Sequence, residues 1–411
     1  MSENDIDALR QMAESVLTNK VYDTFALMAL VKGLYVEDNG IKDVCSRALS
    51  YPPVEFASEA ARLTSECIRE EDIEIRNLAA DILINIGNPA CEHLIQYLSD
   101  EDNDVRKFAC DVLGLVGDES AVDAILALFD DSDENVIFAA YEAVGNIKSP
   151  KALEKLLAQY GKYDDLKPVI IEAAGKIGGT EAQGFLINTM KTEADMLLQT
   201  TCIDALSMSG SDLNICDYLL LELPWTPTEL QPMLLKTIYA IAYRQNLKIE
   251  FPSPLRDVAR NALMDDDEDI RMSGLLALGD EYFEDDVPCL IKITLQNNPD
   301  VIQQILFNLI SNSDESILRF FVEKIYQENF TNETIGEFFQ YLPDIMNSFS
   351  KEKKESVINI LFDIMVKYPM PGNIELAEIL SKISRDYILA KAKCLSIDSS
   401  QELDDLINAI K

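Results

Sequence analysis

The sequence predicts an all-α solenoid of stacked helical hairpins, and three observations carry that prediction. The first is a repeat: DIEIRNLAADILINIGNPACEHLIQYLSDED, residues 72–102, is followed at once by NDVRKFACDVLGLVGDESAVDAILALFDDSD, residues 103–133. Ile75-Arg76 falls on Val105-Arg106 and Gly87 on Gly117, so the period is about 31 residues. The second is helical spacing within each copy. Val105, Phe108, Ala109, Val112, Leu113 and Val116 recur at three- and four-residue steps and share one side of a helix. Ala121, Val122, Ile125, Leu126 and Phe129 make a second stripe. The third is the punctuation between the stripes, where Gly117 accepts the left-handed conformation that ends a helix and Asp118 to Ser120 make a polar turn. Helices this short are unstable alone, and stacked copies bury what each hairpin leaves exposed.

Taken in order, residues 1–71 read as three or four helices without the repeat signature. Asp23 to Asp38 is strongly apolar, and Val54 to Arg69 is amphipathic behind Pro52-Pro53. The expected role is an end cap; an apolar excess there would instead suit a homodimer through Phe25, Met28, Leu34 and Tyr35. Residues 72–210 hold the repeats, with a third copy at 135–160 and a looser fourth at 166–190, where Gly178 stands at the turn.

Residues 211–264 form an irregular joint containing Pro224, Pro227, Pro232, Pro252, Pro254 and the single Trp225. Pro-Trp-Thr-Pro cannot continue a helix, so Thr226 or Thr228 is expected to cap a long helix ending near Asn246, and Ser253-Pro254 to start the next. Trp225 suits either an exposed anchor for a partner or, the commoner outcome, a plug filling the space left by a broken repeat. The signature returns over 265–328, with a further unit from Val301 to about Gln327. Residues 329–411 read as a helical cap or divergent repeats: helices over 332–349 with a break at Pro343, then 351–368, 374–384, 386–395 and 401–410.

The stretch DNDVRKFACDVLGLVGDESAVDAILALFDD resembles HEAT repeats, and among them the bacterial subfamily of PBS lyase HEAT-like repeats. The likeness covers residue 72 to about 190 and reappears over 267–295. It implies a right-handed solenoid whose second helices line a concave face. It also implies a ladder in which an Arg early in the first helix pairs with an Asp of a neighbouring turn, a position held by Arg76, Arg106 and Arg271 and lost at Ile137 and Val169. The subfamily's name brings one enzymatic alternative, a bilin-type chromophore lyase or chaperone.

With 72 acidic and 35 basic residues, the net charge is −37. Such a surface repels phosphate backbones and anionic membranes, which argues against nucleic-acid and membrane partners. It suits a protein partner with a basic patch or helix, and also plain solubility. No run approaches the roughly 18 apolar residues of a membrane span. The polar N-terminus, MSENDIDALRQMAESV, is unlike a signal peptide, so a cytoplasmic protein is expected.

Chemical motifs are few. The eight cysteines are scattered singly and read as small buried hydrophobes. Asp100-x-Asp102-x-Asp104 begins like a calcium loop, but Val105 stands where glycine is needed, so the acidic turns are expected to cap helices. His93 is the only histidine and is followed by Leu94, so the paired His-Glu motif of di-iron HEAT-like hydroxylases is absent. No cofactor or metal is expected. What remains is one carboxylate per second helix, Glu92, Asp123 and Glu154, at one register and flanked by Gln96, Ala127, Ala158 and Asn188. The reading is a non-catalytic scaffold or adaptor that offers this acidic ridge, with Trp225 as a further contact.

Overall fold

The computed structural model describes residues 3–19, 21–209, 215–294, 298–327, 332–368 and 373–395, and among them every regular element is a helix. They form two compact units, Met1–Ile215 and Cys216–Lys411. The first opens with α1 (Glu3–Asn19), α2 (Thr24–Gly33), α3 (Asn39–Ser50) and α4 (Val54–Ser65). Hairpins follow: α5 (Ile73–Ile86) with α6 (Cys91–Ile95), α7 (Asn103–Val116) with α8 (Val122–Leu126), and α9 (Glu134–Ile147) with α10 (Pro150–Leu157). Then come α11 (Lys167–Ile177) with α12 (Gly179–Thr192), and α13 (Met196–Ser209). Odd-numbered helices make one row, each packed on the next, and α4 to α12 each pack on the first helix of the following hairpin. The N-terminal helices stand in the same rows, α1 on α3 and α3 on α5.

Local chemistry sets where these helices begin and end. Asp72, Asp102 and Asp133 cap α5, α7 and α9 by accepting backbone amides of the first turn, as the acidic turns were expected to do. In each full turn two such bonds are nested: Asp131 accepts the amide of Asp133, which accepts that of Asn135. Gly117 ends α7 at φ 77°, and Lys148 ends α9 in the same left-handed region at φ 58°. The apolar stripes of α7 and α8 enter one continuous core from Ala61 to Ala173.

Glycines let first helices approach one another closely in the first unit. A Cβ on Gly114 of α7 would lie 2.8 Å from the Cα of Ala143 on α9. Gly145 stands in the same relation to Ala173, and Gly175 to Ala205, both again at 2.8 Å. First helices from α7 to α13 therefore touch backbone to backbone. In α5 the matching position is Ile84, and α5 sits less closely on α7.

The second unit holds α14 (Ile215–Glu222), α15 (Gln231–Gln245), α16 (Arg256–Ala262), α17 (Glu268–Leu278), α18 (Val287–Thr294), α19 (Pro299–Ser311) and α20 (Glu315–Gln327). It continues with α21 (Asn332–Phe339), α22 (Leu342–Met346), α23 (Lys351–Lys367) and α24 (Asn373–Leu395), the last broken at Ser384. The expected break near Pro343 and the division at 384–386 are thus present, while the helix expected over 401–410 lies outside the described residues. The threonine caps are not formed. A turn through Pro227 and Leu230 leads into α15, which has no side-chain cap, and the Thr226 hydroxyl donates to the Glu222 carbonyl instead. Proline's fixed φ starts the turn without a cap.

Asp286 is the electrostatic centre of this unit. Its side chain is fully buried and accepts from Arg256 Nη2 at 2.6 Å, Arg260 Nε at 2.8 Å and the Phe283 amide at 2.8 Å. Burial works against its charge, yet these donors hold the carboxyl below the usual carboxylate range. A lowered folded value means stabilisation that is complete above the ordinary carboxylate pKa and is lost as pH falls through the folded value. Thermal midpoints should therefore stay level down to about pH 5 and fall below about pH 4. Asp286→Ala should cost about 3 kcal/mol at neutral pH, the low end for a broken buried pair because both arginines reach solvent. An unchanged midpoint in that variant would contradict the assignment.

The glycine row yields a paired expectation. Gly145→Ala gains about 0.5–1 kcal/mol of helix propensity but forces a methyl into the Ala173 backbone, where overpacking costs about 1–3 kcal/mol. It should destabilise. Gly184→Ala, on the exposed face of α12 with nothing within 4 Å, should stabilise by about 0.5–1 kcal/mol in chemical denaturation. The two substitutions shifting stability in the same direction would refute the close-packing account.

Candidate functional site

Second helices carry the candidate surface because their apolar stripe faces the row of first helices, which leaves the opposite side to solvent. Glu92 on α6, Asp123 on α8 and Glu154 on α10 are all exposed, one per hairpin and at one register. Gln96, just beyond α6, and Asn188 on α12 are also exposed. The structure thus places these five expected residues on the solvent side of one row. Trp225 belongs to the other unit and is no part of it.

The ridge is not uniformly acidic. Lys151, from the first turn of α10, reaches back to Asp123 at 2.5 Å, with both side chains largely exposed. Its ammonium holds the Asp123 carboxyl below the ordinary range. Lys155 is exposed beside Glu154. Gln96 lines an open groove of about 520 Å³ with Arg62, Glu66, Arg69, His93 and Tyr97. There Arg69 pairs with Asp100 and lies 5.0 Å from the Tyr97 ring centroid. Basic residues therefore alternate with the carboxylates, which the register of the acids alone did not reveal. The signal available was the KALEKLL stretch itself, with Lys151 and Lys155 in phase with Glu154.

Expectations about the other residues divide. Arg106 makes the ladder pair in full, donating from Nε and Nη2 to Asp131, both at 2.8 Å, and from Nη1 to the Asp100 and Glu101 carbonyls. Arg106 holds the Asp131 carboxyl below its ordinary range. Arg271 makes the carbonyl half, on Asp265 and Asp266, and Arg76 lies over the Phe108 ring at 5.9 Å. Asp100, where Arg76 would look for its partner, is held by Arg69.

Leu34 is fully buried in the N-terminal core, whereas Phe25 is 75% and Met28 46% exposed. Of the four residues considered for a dimer contact, Leu34 is therefore withdrawn, because it follows the last turn of α2 on its inner side. The Tyr35 hydroxyl donates to Glu70 at 2.9 Å. His93 Nε2 lies 3.0 Å from the Ser58 hydroxyl. Of the described cysteines six are buried and Cys289 is half-buried, and burial pushes Cys45 and Cys91 up to about 11 and Cys202 to about 12. Raised in this way, a thiol is less readily ionised to the nucleophilic thiolate than a free cysteine.

Trp225 does not plug a gap. It is 83% exposed at the end of the 3-10 turn that follows α14. With Tyr218 and the exposed Leu221 it stands at positions i, i+3 and i+7, one stripe along α14 and its extension.

Residues 91–168 match the family model described as HEAT repeats, so the chain carries HEAT repeats there. No curated protein matches. Among solved structures, the karyopherin Kap121p bound to the SUMO protease Ulp1p is similar at 13% identity and TM-score 0.52. The alignment covers 100% of this chain and 53% of the karyopherin, so the chain spans about half its length. A homology model of the AP-3 complex is similar at 14% identity and TM-score 0.48, over 99% of this chain and 85% of that one. The phycocyanin lyase complex of CpcE and CpcF from Nostoc sp. PCC7120 is similar at 17% identity and TM-score 0.32, over 56% and 91%. The karyopherin likeness fixes the fold as an α-solenoid of the HEAT and armadillo kind; the other two are too distant to carry an argument.

The exposure of Trp225 is directly measurable, since no other tryptophan contributes. Its native emission should be that of a hydrated indole and should shift little on unfolding in denaturant, with acrylamide quenching it almost equally in both states. A strongly blue-shifted native band would place it in a core.

Proposed function

We propose that this chain is a non-catalytic interaction scaffold or adaptor that presents the second-helix surface of its first unit to a basic protein partner. The observation that supports this most is the regular display of Glu92, Asp123 and Glu154, one exposed carboxylate per hairpin on a rigid stack. Each hairpin is tied to the next by polar contacts one repeat apart, such as Ser149 on Glu119, 2.8 Å, and Lys176 on Asn146, 2.9 Å. Spacing between the carboxylates is thereby held, and a pre-organised surface spends little on ordering when a partner arrives. Lys151 and Lys155 between them turn an acidic strip into a pattern of alternating charge. Such a pattern selects register in a partner helix as well as sign. The net charge of −37 adds long-range attraction for a cationic partner.

Salt dependence and charge reversal test the reading together. Capture of a basic partner from native lysate should weaken as salt rises from about 0.1 M to about 1 M, where the screening length falls from about 10 Å to about 3 Å. The triple variant Glu92→Lys, Asp123→Lys, Glu154→Lys should lose that partner and keep its far-ultraviolet circular dichroism. Lys151→Glu, which frees Asp123 and adds a carboxylate, should retain or strengthen it. Capture by the triple variant at the wild-type level would rule the ridge out.

A further inference from the structure

Within the second unit, α17 and α19 stand one repeat apart in the position of consecutive first helices, yet they barely touch. α17 leans the other way. A Cβ on its Gly274 would lie 2.7 Å from the Ala259 carbonyl oxygen and 2.9 Å from the Leu263 nitrogen, so this helix is pressed onto α16 and its C-terminal turn. The side of α17 that would have met α19 is left open, and between them runs a groove of about 570 Å³.

Its walls are built by helical register. From α17, Met272, Leu275 and Leu276 line it at positions i, i+3 and i+4, and Val301 faces them from α19. Leu276 is 59% exposed, an apolar side chain left in water where the row of helices parts. The far wall is fixed by a polar chain in which Gln304 donates to Asn308 at 3.0 Å and Asn308 donates to the Tyr282 hydroxyl at 3.0 Å. These groups partner one another, which stiffens the wall.

Charge marks the two ends. Glu268 and Asp300 lie at the starts of α17 and α19, and Asp280 lies just past the end of α17; among the described residues no lysine or arginine lines the groove itself, and Arg271 lines a smaller pocket beside Glu268 and Met272. Helical rise puts the two ends roughly 17 Å apart. A second copy of this chain, with a net charge of −37, is poorly suited to enter. The fitting occupant has an apolar face about three turns of helix long, with a cationic side chain at each end.

We infer that the groove between α17 and α19 is a second docking surface, which takes an amphipathic helical segment of a protein partner through apolar side chains at i, i+3 and i+7 between Lys or Arg ends. It lies on first helices of the second unit and does not rest on the ridge of the first. The groove is preformed and the apolar stripe supplies the affinity, while the terminal carboxylates set the register.

Methionine-methyl NMR on the full chain reads this site directly, with the Met272 signal assigned from Met272→Leu. The probe is the synthetic peptide KLAKLAKKLAKLAK, compared with a scrambled peptide of the same composition whose leucines do not share a face. Met272 should shift with the first peptide and not with the second. Leu276→Arg, at an exposed position, and Asp300→Lys should each weaken the interaction at least tenfold. The triple reversal of Glu92, Asp123 and Glu154 should leave the Met272 titration unchanged, so the two surfaces are judged separately. An unmoved Met272, an equal response to the scrambled peptide, or Leu276→Arg binding as well as wild type would each overturn the proposal. A Met272 shift that grows with protein concentration alone would assign the groove to self-association and overturn it as well.

Discussion

Contact between glycine and alanine across neighbouring first helices is the constraint on which the first unit depends. Gly114 on Ala143, Gly145 on Ala173 and Gly175 on Ala205 bring consecutive backbones as near as helices can come. Close spacing on one side lets larger residues such as Ile125, Phe129 and Tyr141 fill the interior between the two rows. The Phe129 ring meets Tyr141 edge to face at 4.7 Å. Glycine inside a helix is locally unfavourable, so its presence at this register in three hairpins reflects what packing gains. Spacing α7, α9 and α11 this way constrains α8 and α10, the helices that carry Asp123 and Glu154.

The second unit solves the same problem differently. Among its described residues it has one such glycine, Gly274, and it faces α16, the second helix of the preceding hairpin, and not a neighbouring first helix. Cohesion there rests more on the buried carboxylate of Asp286 between Arg256 and Arg260, and Arg256 also lies 4.6 Å from the Phe283 ring centroid. An ionic centre with few partners ties α16 to the turn before α18 at one point and says little about α19. That is a physical reason why α17 and α19 part where α7, α9, α11 and α13 do not.

Much of this was legible in the sequence, because the signals that define a hairpin are local. Asp102 and Asp133 announce helix starts by their own hydrogen bonds, and the stripe from Val105 to Val116 fixes which face is buried. What failed required knowledge of a neighbour. Leu34 and Phe25 both look apolar in an apolar stretch, and only packing against α1 and α3 decides that the first is core and the second is surface. Trp225 resembled a plug because buried tryptophan is common; nothing local says that its indole is left in solvent. Lys151 pairs with Asp123 across 28 residues of sequence, beyond the reach of any turn-by-turn reading. The role of Gly114, Gly145 and Gly175 was hidden for the same reason, since a glycine facing another helix and one merely tolerated look alike in one dimension.

Many polar contacts between hairpins span about one repeat: Arg69 to Asp100, Asn103 to Asp133, Lys236 to Asp267 and Arg256 to Asp286. In a chain of 411 residues this is short range. Loop closure at these contacts involves about a repeat of chain, which keeps contact order low and the entropic barrier to assembly small, while the longer closures, such as Tyr326 to Asn373, gather near the C-terminal helices. Structure can spread outward from whichever hairpin forms first. The glycine-laced helices α7 to α13 gain the most on docking, which makes them the natural starting point. An end hairpin can open and close again without disturbing the centre, so the molecule's stability is graded along its length.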